Sequence, residues 1–384
     1  MQRRRFQSAV HLSSAIFIGL CVACSGGGGP EGKGPAKAAG KKAAEKPKKA
    51  EKKDKIPDLS AAQVLERAKP LFGTLPKVME SPDNPVTDAK VELGRMLYFD
   101  PRLSKNQDIS CNTCHDLAKY GVDPRNTPTS AGHKGQMGER NSPTVYNAAL
   151  QVAQFWDGRE PTVEAQAKQP ILNPVEMAMP SEKAVVKVLA SIPGYVEKFK
   201  AAFPDDKDPV TYDNMAKAIG AFERTLVTPA PFDQFLAGNM GALDKKQLWG
   251  LSLFMDVGCT TCHTGPGVGG TMFQKLGSVK PWPTKDEGRY AVTKQEPDKF
   301  VFKVPLLRNI TKTGPYLHDG SIKDLREMVQ KMAEHQTAKG RLSDAELDAM
   351  MAFLESLTGP LPADRIAKPE LPPSGPNTPK PDPS

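Results

Sequence analysis

Apolar residues recur at helical spacing in several stretches of the chain. The first opens at Ser60, where Ser60 and Gln63 form a capping-box pattern and Leu59 is placed to staple onto Val64. A second helix fits Asp88 to Phe99. A third stripe, Gly250-Leu251-Ser252-Leu253-Phe254, follows a cap pattern at Asp244 and Gln247. From Ser321 to His335, Leu325, Met328, Val329 and Met332 share one face. Ser343 and Glu346 cap a last helix through Leu347, Met350, Met351, Leu354 and Leu357, which Gly359-Pro360 ends. No alternating run marks a strand near these stripes, and Thr264 to Asp298, rich in Gly, Pro and Lys, reads as a long loop. The pattern predicts a mostly α protein with long loops.

Both ends of the chain depart from this pattern. Arg3, Arg4 and Arg5 precede an apolar run from Ala15 to Ala23, so residues 1–24 read as an export signal too short to remain as a membrane span. The run closes on Cys21-Val22-Ala23-Cys24, which resembles a lipoprotein box with Cys24 as the lipidated residue, although the expected Leu is displaced to Leu20. Residues 25–57 hold ten lysines against four acids and no large apolar side chain before Ile56, the composition of a disordered tether. That tether and the three arginines account for the formal net charge of +8, so the balance is not a nucleic-acid signature. The tether could instead hug anionic lipid. Residues 361–384 are Pro-rich and predict a second disordered tail.

Two stretches carry chemistry. Cys111-Asn112-Thr113-Cys114-His115 and Cys259-Thr260-Thr261-Cys262-His263 are both Cys-x-x-Cys-His, the attachment site of a c-type haem. Two thiols on one turn form thioethers to the two porphyrin vinyl groups, and the adjacent imidazole reaches the iron. A redox dithiol or half a zinc site would not need that histidine. The stripe beginning at Gly94 leads into the first motif much as the one beginning at Gly250 leads into the second, so the chain reads as two cytochrome c-like haem domains, residues 58–240 and 241–360. Of six cysteines, four belong to the motifs and two to the export signal. With no thiol left for a structural disulfide, this distribution fits an exported protein of a bacterial periplasm.

Several further segments resemble the bacterial di-haem cytochrome c peroxidase family, which includes the methylamine-utilisation di-haem oxygenases. They are Glu92-Leu93-Gly94-Arg95 with Arg102-Leu103-Ser104, Arg140-Asn141-Ser142-Pro143-Thr144, Phe155-Trp156-Asp157-Gly158-Arg159, Asn173-Pro174-Val175-Glu176-Met177, Pro305-Leu306-Leu307-Arg308-Asn309 and Pro315-Tyr316-Leu317-His318-Asp319-Gly320-Ser321. The resemblance makes the first haem, on Cys111, Cys114 and His115, the peroxidatic one, with His133 as a distal ligand that leaves on activation. On the residues alone His133 reads as an exposed loop histidine. It also makes Glu176 the acid/base that shuttles the peroxide proton, Gln166 an orienting amide, and Trp156 the aromatic residue between the haems. Otherwise Glu176 reads as a solvated loop acid and Trp156 as core packing. The second haem, on Cys259, Cys262 and His263, would take Met332 as its sixth ligand, with Met328 and His335 as rivals one turn away on either side. A Ca²⁺ would be held by the Asn141 side chain and the carbonyls of Thr313 and Pro315.

The implied activity is reduction of hydrogen peroxide to water with electrons from a small cytochrome c or cupredoxin, in a membrane-anchored or free periplasmic protein that could form a homodimer. A non-enzymatic di-haem electron carrier and a di-haem oxidase or oxygenase are the alternatives. The oxygenase branch carries Tyr where Met332 stands, which argues against it.

Overall fold

Side-chain caps set where most of the helices begin. The computed structural model describes residues 55–384, so the export signal, Cys24 and the tether through Asp54 lie outside the described residues. Ser60 caps α1 (Ala61–Phe72) and Thr87 caps α2 (Asp88–Phe99). The first Cys-x-x-Cys segment is the single turn α3 (Cys111–Cys114). Five helices follow between Val163 and Leu236 that the periodicity above does not define: α4 (Val163–Leu172), α5 (Glu182–Ala190), α6 (Pro193–Ala202), α7 (Tyr212–Glu223) and α8 (Pro231–Leu236). The second half holds α9 (Lys245–Asp256), the short α10 (Tyr290–Thr293), α11 (Leu325–Gln336), α12 (Asp344–Glu355) and the turn α13 (Ala363–Ile366). The protein is mostly helical. Its one sheet among the described residues is an antiparallel pair, β1 (Phe273–Lys275) with β2 (Val301–Lys303), in register Phe273↔Lys303.

α11 starts four residues later than its apolar stripe suggests. Asp324 Oδ1 accepts from Glu327 N at 2.7 Å and caps the helix there. Ile322 is instead drawn into a bridge, its carbonyl accepting from Tyr316 N at 2.7 Å.

Two apolar cores form around the two haem motifs. The first gathers α2 and α4 to α7, with Leu93, Leu97, Tyr98, Ile171, Met215 and Phe222 inside. The second gathers α9, α11 and α12. Each is built on one crossing of two helices at a glycine. A Cβ on Gly94 of α2 would overlap the Ala218 carbonyl and Phe222 Cβ of α7; a Cβ on Gly250 of α9 would overlap the Ala349 carbonyl and Phe353 Cβ of α12. In both pairs the partner residues are four apart on one helical face, so the same contact is made twice.

Chain order and core membership differ at three places. α1, expected to open the first domain, packs Val64, Leu65, Ala68 and Phe72 into the second core against Phe232 and Phe254. α8 joins that core too, through Phe232 and Phe235. The third place is the C-terminal tail, where the expectation of disorder is corrected. Residues 361–384 lie along the first core: Leu361 and Ile366 pack on it, Arg102 Nη1 donates to Pro372 O (2.9 Å), Gln107 Nε2 to Pro379 O (2.8 Å), and Asp382 N to Lys105 O (2.9 Å). Prolines leave few N–H groups to satisfy, so side chains from the folded body can hold such a strand by its carbonyls.

Candidate active site

The first motif is assembled by local hydrogen bonds. Ser110 N donates to Thr113 Oγ1 (3.0 Å) and His115 N to Cys111 O (3.0 Å), which sets both thiols and the imidazole on one turn. His115 Nδ1 meets Pro143 O at 2.9 Å, so that nitrogen carries the proton and Nε2 is left as the basic one. Burial lowers the imidazole pKa and keeps the ring neutral, as a metal ligand must be. The second motif repeats the scheme with His263 N on Cys259 O (3.0 Å) and Nδ1 on Val268 O (3.3 Å); burial pulls the His263 pKa to about 4. Gly269, at φ +129°, is required here because a Cβ would lie 2.2 Å from Pro305 O and 2.9 Å from His263 Nδ1.

Neither motif shows the lowered thiol pKa of a redox dithiol at its first cysteine. Reactive Cys-x-x-Cys pairs have lowered pKa values. Desolvation instead pushes Cys111 and Cys259 up to about 12 and raises Cys114. All four motif cysteines are free of disulfides. Proximal imidazoles with an engaged Nδ1, each beside a pair of free thiols, fit two covalently held haems.

Opposite the first motif, the loop carrying His133 folds onto the turn carrying Glu176. His133 is buried, its N–H donates to Glu176 O (2.8 Å), and Gly132 lies so close to Val175 and Glu176 that a side chain there would overlap their backbone. Gly132 N to Gln136 O and Gly138 N to Ser130 O, both 2.8 Å, close the loop. A cavity of about 380 Å³ lies between this loop and the motif, lined by Ile109, Thr113, Arg125, His133 and Pro383 of the tail. Desolvation raises the Glu176 pKa, against the pull of Arg159 and of the Asn173 amide, which donates to Oε1 at 3.0 Å. The Glu176 charge is close enough to Cys111 and Cys114 to raise both thiol pKa values. Gln166 is half-buried on α4, and the Glu176 turn is tied to the end of that helix by Met177 N on Pro170 O (3.1 Å).

Comparison with known proteins agrees with this geometry. The family model described as di-haem cytochrome c peroxidase matches residues 88–241, and that of cytochrome c matches 247–358. Cytochrome c551 peroxidase of Pseudomonas aeruginosa is 45% identical over 331 residues, covering 84% of this chain and 94% of the relative. The protein of the same name from Nitrosomonas europaea is 49% identical over 292 residues, 75% of this chain and 85% of the relative. The chain belongs to the di-haem cytochrome c peroxidase family. Methylamine utilization protein MauG of Methylophilus methylotrophus, 34% identical over 72% of this chain and 84% of its own, is a more distant relative. Among solved structures, a MauG-like protein associated with microbial copper homeostasis superimposes with a TM-score of 0.69 at 26% identity, over 78% of this chain and 98% of that one.

In this di-haem peroxidase Trp156 stands where the two halves meet. Its Nε1 donates to Asn141 O (2.9 Å), its own carbonyl accepts from Lys303 N (2.8 Å), and its ring meets His318 edge-on at 6.4 Å. Asn141 is buried, with its amide nitrogen donating to Pro128 O (3.0 Å) and its N–H to His318 O (2.8 Å), in the same segment as Thr313 and Pro315. Of the three residues on α11 that could face the second haem, Met328 is inside the core and His335 is held by Lys280 O (2.8 Å) and the Trp282 ring (4.7 Å). Met332 is only partly buried at the core's edge.

One group that the sequence reading does not contain joins the halves. Arg140 donates to Asp157 (2.6 Å) and, with both sides of its fork, to Asp286 (2.7 and 2.8 Å). The two carboxylates raise its pKa in spite of desolvation. The signal was present, since Arg140 and Asp157 both fall in the segments that carry the family resemblance.

Proposed function

We propose that this peroxidase reduces hydrogen peroxide to two waters at the first haem, consuming two protons and two electrons delivered by a small periplasmic cytochrome c or cupredoxin. The observation that carries the proposal is the Glu176 carboxyl. It is desolvated, held by Asn173, fixed through its own backbone to the His133 loop, and within electrostatic reach of the thiols of the first motif. When bound, the haems supply the iron at which the O–O bond breaks and the storage of electrons.

The chain's own residues do the rest. Glu176 as carboxylate accepts the proton from the peroxide oxygen that binds and returns it to the oxygen that leaves as water; its raised pKa suits both transfers. The Gln166 amide orients peroxide by hydrogen bonding. His133 covers the first site in the resting protein and swings away on activation, breaking its N–H bond to Glu176 O. Trp156, anchored by Asn141 and Lys303, keeps the halves at a fixed separation. Met332 would hold the second haem's iron, a choice that suits electron entry because a thioether donor raises the potential. A Ca²⁺ would find neutral oxygen donors at Asn141 Oδ1, whose amide nitrogen is already engaged, and at the carbonyls of Thr313 and Pro315. The reading extends to periplasmic export with a lipid anchor at Cys24, and to homodimer formation. Among the described residues no helix is long and apolar enough to cross a membrane.

The test is peroxide-dependent oxidation of a reduced small cytochrome c, with and without prior reduction of the enzyme, for wild type and His133→Gly. Wild type should need pre-reduction and the variant should not. Absence of peroxide turnover in both would return the protein to the class of electron carriers.

A further inference from the structure

Three lysine or arginine side chains are buried among the described residues: Arg224, Lys303 and Arg308. Two are neutralised by the chain itself. Arg224 forks onto Glu164 (2.7 and 3.0 Å) and Arg308 onto Asp233 (2.7 and 2.8 Å). Lys303, only 4% exposed, has no carboxylate partner among the described residues; its ammonium donates to the neutral Oε1 of Gln151. Desolvation, with nothing to oppose it, pulls its pKa from 10.5 to about 7. A buried ion without a counter-ion is costly, and an anion at the ammonium would remove most of that cost.

The position of Lys303 says which anion. Its N–H donates to Trp156 O (2.8 Å), and its β1 partner is Phe273. The next β1 residue, Gln274, which pairs with Phe302 and points to the opposite face of the pair, reaches Cys262 Sγ at 3.8 Å. Gln151, which takes the ammonium, lies against Gly270, and Gly269 lies against His263 Nδ1. Lys303 is thus framed by Trp156 on one side and by the segment wrapping the second attachment site on the other. A c-type haem is held through its vinyl groups and brings two propionate carboxylates with it.

We propose that Lys303 is the charge partner of a propionate of the second haem and holds that carboxylate on the Trp156 side of the β1–β2 pair. The inference rests on the two-haem reading and adds a positioning residue to it. A paired propionate favours the reduced haem, the more negative state, so Lys303 raises the second haem's potential and prepares it to accept an electron.

The test uses the full chain with both haems attached, as Lys303→Gln and Lys303→Arg. A pyridine haemochrome count of two haems per chain checks the two-haem reading separately. Spectroelectrochemical titration should then show the second haem's midpoint lowered in Lys303→Gln, near wild type in Lys303→Arg, and the first haem's midpoint unmoved in both. Two attached haems with an unchanged second midpoint in Lys303→Gln would overturn the proposal. If that variant does not accumulate, the half-reduced wild type decides. Its ferrous haem's propionate-bending band in resonance Raman must shift in D₂O, and a band that stays in place also overturns it.

Discussion

Glu223 is the last residue of α7 and is buried within electrostatic reach of Cys111. Desolvation and the charge of Glu164 push its carboxyl from an ordinary 4.5 to about 8, while Arg224 opposes this but is already committed to Glu164. A carboxyl raised on folding contributes stability that is complete below its unfolded pKa and is lost as pH rises through the folded value. Wild type should therefore lose stability from about pH 4.5 to about 8, and Glu223→Gln should lose less over the same range; urea midpoints measured across that range check it. Parallel pH profiles for the two proteins would assign the loss to other groups. Glu223 and Lys303 illustrate what the sequence hides at this scale. A lone charged residue in an apolar stretch carries no mark of whether it is solvated or buried. Haem attachment was legible because five consecutive residues must act together. Glu176 and His133 were legible only through a family resemblance, since the 42 residues between them in the chain say nothing of their meeting.

The crossing glycines carry the argument at the level of elements. In an exposed helix, Gly→Ala would gain about 1 kcal/mol in propensity. At Gly94 and Gly250 the new methyl meets a backbone carbonyl that cannot move without separating the helices, and overpacking of this kind costs roughly 1–3 kcal/mol. Packing wins, so Gly94→Ala should destabilise the first haem module and Gly250→Ala the second, each leaving the other's unfolding transition in place. Denaturation followed in the Soret band of each haem reads this out. Both stripes were visible in the sequence because α2 and α9 have polar faces. α7 was not, because Tyr212, Asn214 to Ala216 and Ala218 to Glu223 are all buried and no polar face marks a period. Pro170 inside α4 hides that helix in a different way.

Across the whole molecule the chain crosses between its cores more often than two consecutive domains would. α1 and α8 serve the second core, the tail serves the first, and Arg140 with Asp286 spans the junction. Composition hid the tail's role, because a Pro-rich segment reads as disordered until the surface offering side chains to its carbonyls is known. Removing residues 361–384 frees Arg102 and Gln107 from Pro372 and Pro379 and uncovers the first core at Leu361 and Ile366. The truncated protein should unfold its first haem module a few degrees lower, on the scale of about 2–4 °C per kcal/mol for a body of this size, with the second module unchanged. Differential scanning calorimetry with haem-specific absorbance separates the two.

The central claim is that Glu176 moves the peroxide proton at the first haem. Gln is nearly isosteric with Glu and can keep a hydrogen bond to Asn173, but it cannot shuttle a proton. The measurement is steady-state peroxide turnover of Glu176→Gln against wild type, both pre-reduced, with both haem spectra recorded. Turnover should fall by roughly 10²-fold or more, the scale of general acid/base catalysis, with spectra and donor binding retained. Full activity in that variant would contradict the assignment.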